Sequence, residues 1–166
     1  MRRIGWVLGG FAALLVAAFL LLRTPDIPAG DLRARYANAE SEFLTVAPGL
    51  TVHLRDEGPA NAPVLVLLHG SNASLHTWEP WGARLKSDHR VISLDLPGHG
   101  LTGPSPTRDY SAAANVAVVD AVATAKALPA FTLAGNSMGG GIAWRYALAH
   151  PEKLNGLVLV DAAGAP

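Results

Sequence analysis

The chain has 166 residues, 13 basic and 13 acidic side chains, and a formal net charge of zero. Charges this evenly mixed, with no run of either sign, leave no electrostatic footprint for nucleic acid, and no nucleic-acid partner is expected. Cysteine is absent, which excludes disulfides, a thiolate nucleophile and zinc–thiolate clusters; no metal or other cofactor is expected. The length suits one ordinary domain.

In chain order, "MRR" precedes an uncharged apolar run from Ile4 to Leu22 that ends at Arg23. As a helix this run would rise about 28 Å, near the thickness of a hydrocarbon core of about 30 Å. Arg2 and Arg3 favour a cytoplasmic start, and "LLRTPDIPAG" offers no convincing small-x-small cleavage site. The expectation is a transmembrane anchor over residues 1–23, making a single-pass membrane protein whose domain lies outside the cytoplasm. Residues 24–40 mix Pro, Gly and charge, as a linker would. The domain is expected over residues 41–166.

"SEFLTV" and "LTVHLRDEG" read as half-buried strands around the turn residues Pro48 and Gly49. "APVLVLLHG" is continuously apolar and branched, as in a strand buried on both faces of a parallel sheet. "TWEPWGARLKS" reads as a helix, "HRVISLDL" as a buried strand, and "SAAANVAVVDAVATAKAL" as a helix capped by Ser111. "FTLAGN", "SMGGGIAWRYALAH" and "LNGLVLVD" complete the pattern as strand, helix and strand. Alternating strands and helices after an initial hairpin predict an α/β fold with an open, mainly parallel sheet of about six strands.

Three loops fall just beyond strand carboxyl ends, where open α/β sheets place their sites: "HGSNAS", "PGHGLTG" and the turn at Ser137. A bare Gly-x-Ser-x-Gly match is a weak signal. On a strand-to-helix turn it gains meaning, because the serine is lifted clear of the sheet while Gly135 and Gly139 let strand and helix approach closely. Other polar residues have plainer readings. His69 would bond backbone near its loop, His99 belongs to a turn, and His150 ends a helix. Asp95 and Asp161 close strands, and Trp78, Trp81 and Trp144 pack.

"HGSNAS", "DLPGHGLTG" and "GNSMGG", in that order and spacing, resemble the α/β-hydrolase superfamily over nearly all of residues 41–166. "GNSMGG" is similar to the elbow of carbon–carbon bond hydrolases and also to those of esterases and lipases. Serine at position 137, where haloalkane dehalogenases and epoxide hydrolases carry Asp, argues against those branches. The resemblance implies an acyl-type intermediate on Ser137, with an oxyanion hole from the backbone N–H groups of Met138 and Ser71; Asn72 is a weaker candidate for the second donor. It also implies a triad acid and histidine later in the chain. His150 is the single histidine after Ser137, about 20 Å along the same helix and out of reach. The chain therefore resembles the amino-terminal portion of such a hydrolase, with the triad completed by residues outside it. The function expected is serine hydrolysis of a small ester-like or related carbonyl substrate. The alternative is a noncatalytic binding or interaction protein of the same fold.

Overall fold

The computed structural model describes the backbone of residues 2–164 and the side chains of residues 6 and 8–164. Six strands form a single sheet: β1 (Ser41–Ala47), β2 (Leu50–Glu57), β3 (Val64–Leu68), β4 (Arg90–Leu94), β5 (Phe131–Asn136) and β6 (Leu154–Val160), in the order β1-β2-β4-β3-β5-β6. The sheet is mixed. β1 and β2 form an antiparallel hairpin and β2 runs antiparallel to β4, whereas β4, β3, β5 and β6 are mutually parallel. The short, branched strand β3 is buried along its whole length, the pattern its unbroken apolar sequence requires at the centre of a parallel sheet.

Helices cover both faces. α4 (Ala112–Ala125) and α5 (Met138–Ala149), the latter through its fully buried Tyr146, pack on one face over Leu54, Leu68, Ile92 and Leu133. A smaller cluster of Leu65, Leu67, Trp78, Val91 and Ala134 fills the other, beneath a short 3-10 turn (Leu75–Trp78) and α3 (Glu79–Leu85). Each large aliphatic side chain so buried contributes about 1.5–3 kcal/mol. The Ser111 hydroxyl caps α4 by accepting from Ala114 N–H, as a serine preceding an apolar helix should.

Two segments precede the sheet. Helix α1 (Arg2–Leu22) forms, but among the described residues no helix is long and apolar enough to cross a membrane. The expected transmembrane helix is therefore corrected, together with the single-pass, extracytoplasmic localisation and the membrane contact through Ile4–Leu22 drawn from it. The described side chains of α1 are exposed along its length, Phe11, Leu14, Phe19 and Leu22 among them, and an apolar helical run is not by itself a span. The side chains of Arg2 and Arg3, on which the orientation argument rested, lie outside the described residues. Residues 24–40 carry a second helix, α2 (Ala29–Tyr36). It is tied to the sheet by Arg55, which donates to the Tyr36 carbonyl at 3.3 Å, and by the Arg33 guanidinium 3.4 Å above the Phe43 ring.

Candidate active site

β5 and α5 meet at Ser137, whose backbone takes φ 49° and ψ −114°. A positive φ at a residue with a Cβ costs on the order of 1–3 kcal/mol and persists only where the surroundings over-determine it. Here they do. Ser137 N–H donates to the Val160 carbonyl at 3.0 Å, and the Ser137 carbonyl accepts from Gly141 N–H at 3.0 Å and Ala163 N–H at 2.9 Å. The flanking glycines are required by close approach. A Cβ at Gly135 would run into the backbone of Gly139, and one at Gly139 would run into the carbonyls of Leu68 and His69.

Ser137 opens onto a cavity of about 320 Å³. Ser71, from the loop after β3, and Met138, the first residue of α5, line it beside Ser137, and the Ser71 hydroxyl lies 3.5 Å from the Met138 sulfur. The two loops meet because β3 and β5 are adjacent and in parallel register. Asn72 has a φ of 52° and is not among the residues lining the cavity. Sequence reasoning did not single out Tyr110, Asn115 and Arg145, which also line it. Asn115 is buried. Its Nδ2 donates to the carbonyls of Tyr110 and Ser111, and its Oδ1 has no partner among the described residues. Arg145 lies over the Trp144 ring and donates to the Gly141 carbonyl. The signal for Asn115, a polar residue one turn beyond a helix cap, has no special pattern in sequence.

Among the described residues no histidine lines the Ser137 cavity, and Ser137 makes no side-chain capping hydrogen bond. His69 is fully buried, donates from Nδ1 to the Gly70 carbonyl at 2.7 Å and accepts at Nε2 from Leu96 N–H at 3.0 Å. Burial holds its pKa below the ordinary imidazole value, outweighing the bond to Gly70 and the nearby Asp95 charge. It is a neutral strut between the loops after β3 and β4. His99 donates to the Pro97 carbonyl, and His150 stacks against Tyr146.

A buried His–Asp pair lies elsewhere in the fold. His53 Nδ1 and Asp95 Oδ2 are 2.7 Å apart, both fully buried, and His53 Nε2 is 2.9 Å from the Ser41 hydroxyl. Asp95 also accepts from Leu75 N–H on Oδ1 and from Leu101 N–H on Oδ2, each at 2.8 Å. Burial alone would raise its pKa, but the His53 and backbone hydrogen bonds together pull it below the usual carboxylate range, so it stays ionised. The strand-closing role read for Asp95 thus has a definite form: it gathers β2, the 3-10 turn and the loop after β4.

Residues 63–165 match the family profile for the alpha/beta hydrolase fold. The chain is 33% identical over 130 residues to 2-hydroxy-6-oxo-2,4-heptadienoate hydrolase of Pseudomonas putida, covering 76% of this chain and 46% of that protein. It is 34% identical over 122 residues to 2-hydroxymuconate semialdehyde hydrolase of a Pseudomonas species, covering 72% and 42%. A solved structure of a membrane phospholipase A superposes with a TM-score of 0.74 at 31% identity, covering 100% of this chain and 54% of that one. The chain thus spans under half the length of these curated relatives.

Proposed function

This chain belongs to the alpha/beta hydrolase fold family, and on that premise we propose that it carries the nucleophile of a serine hydrolase acting on an ester-like or related carbonyl substrate. The observation that carries the reading is the strained, over-determined backbone of Ser137 at the mouth of a cavity shared with Ser71 and Met138. In it Ser137 Oγ attacks the substrate carbonyl, and the backbone N–H groups of Met138 and Ser71 receive the oxyanion beside the positive end of α5. The guanidinium of Arg145 at the cavity wall suits an acidic group on the substrate, such as the dienoate in the name of the Pseudomonas putida relative. The reading requires a histidine and an acid for Ser137 from outside the described residues.

A noncatalytic binding protein is the second reading, favoured by the lack, among the described residues, of a histidine lining the Ser137 cavity. Hydrolysis of p-nitrophenyl butyrate by the protein at its natural length separates the two. Serine hydrolysis predicts turnover that falls by at least about a thousandfold in Ser137→Ala. A wild-type rate equal to that of Ser137→Ala favours the binding protein.

A further inference from the structure

Ser41, His53 and Asp95 form a second serine–histidine–carboxylate array, separate from Ser137. The two contacts, 2.9 Å from Ser41 Oγ to His53 Nε2 and 2.7 Å from His53 Nδ1 to Asp95 Oδ2, lie within hydrogen-bond range. The ionised Asp95 can only accept, so His53 donates from Nδ1, and in the neutral ring Nε2 is the acceptor that faces the Ser41 hydroxyl. That proton is shared with Asn38, whose Oδ1 accepts from Ser41 Oγ at 3.1 Å and from Glu40 N–H, while Asn38 N–H donates to Ser41 Oγ. The imidazole is further held by the Phe43 ring, stacked on it at 4.9 Å between centroids. His53 and Asp95 are fully buried, and Ser41, the first residue of β1, is partly open to solvent. These are the parts that activate a serine: a base in contact, a buried carboxylate orienting it, and a serine that is not fully buried.

We propose that Ser41 is a second reactive serine, a site of covalent modification by small activated acyl donors, with His53 as its base. In the step, Ser41 Oγ attacks the carbonyl carbon of an activated ester as its proton passes to His53 Nε2. The tetrahedral adduct collapses with cleavage of the bond to the leaving oxygen. The leaving group departs as the phenolate, and His53 returns its proton to solvent. Asn38 N–H, the backbone donor on Ser41 Oγ, is spent on that oxygen and so is not free to receive an oxyanion. The site therefore takes donors whose leaving groups need little assistance, and it acylates rather than turns over rapidly. Being independent of Ser137, the proposal stands or falls apart from the hydrolase reading.

The test uses the natural-length protein carrying Ser137→Ala, exposed to p-nitrophenyl acetate under native conditions and digested with trypsin. Acetylation is then quantified on the peptide of residues 36–55, in which Ser41 is the single serine. Ser87, exposed and with no histidine on its hydroxyl, is the internal control. Ser41 is expected to acetylate at least about tenfold faster than Ser87, and His53→Gln is expected to bring it down to the Ser87 rate, since a positioned base contributes about a hundredfold or more. Equal rates at Ser41 and Ser87 in the folded protein would overturn the proposal even if His53→Gln fails to fold. So would an undiminished Ser41 rate in a folded His53→Gln variant.

Discussion

Two serines divide between them what an activated nucleophile needs. Ser137 has the setting: a strained turn at φ 49°, a helix amino terminus behind it and a cavity in front. Ser41 has the base: His53 at 2.9 Å, backed by a buried carboxylate. The difference teaches that the elbow and the proton relay are separable products of the fold. The elbow is made by local chain geometry between β5 and α5, stabilised by Val160 and Ala163. The His53–Asp95 pair is made by strand register, which sets Leu54 opposite Leu94 and so brings His53 beside Asp95.

The largest effect is expected from breaking the elbow. Gly139→Ala drives a Cβ into the carbonyls of Leu68 and His69, a backbone collision that no rotamer relieves. It should cost more than about 3 kcal/mol and abolish cooperative unfolding or lower its midpoint sharply in a urea titration. Asp95→Ala strikes the other region. It leaves His53 Nδ1–H and Leu75 N–H buried without acceptors and strips the part-buried Leu101 N–H of its own. At about 1–3 kcal/mol for each orphaned donor, a loss of about 3–5 kcal/mol is expected in the same titration, with Asp95→Asn milder because one acceptor oxygen survives.

A pH series separates the struts of the two regions. His69 has a depressed folded pKa, so its contribution is complete above the unfolded value of about 6.5 and is lost as pH falls below it. Asp95, also depressed, holds its contribution down to about pH 4 and loses it as pH falls further. Unfolding free energy should therefore decline in two steps on acidification, and His69→Phe, which cannot be protonated, should remove the step near neutrality. The smallest change expected is Ser41→Ala, which deletes one half-exposed hydroxyl bonded to His53 and Asn38. Its cost is about 1 kcal/mol.

The elbow was legible in sequence because its determinants are contiguous: an apolar strand, Gly135-Asn136-Ser137-Met138-Gly139 and a helix. Strand β3 was equally plain, since burial on both faces leaves an unbroken apolar run. The relay was not legible. Ser41, His53 and Asp95 are separated by 12 and 42 residues, and their meeting depends on hairpin and strand register that composition does not encode. The docking of α2 escaped for a similar reason, because Pro28, Gly30 and its charges read as linker, while its anchor, Arg55, lies in β2. The apolar run at the amino terminus was legible as a helix, but a helical run is not by itself a span.

Which serine the His–Asp pair serves is decided most directly by the side-chain nitrogen NMR spectrum of His53 in the natural-length protein. The account predicts a protonated Nδ1 and an unprotonated Nε2 whose resonance shifts in Ser41→Ala and is unchanged in Ser137→Ala. A His53 Nε2 resonance that moves with Ser137→Ala and ignores Ser41→Ala would contradict it.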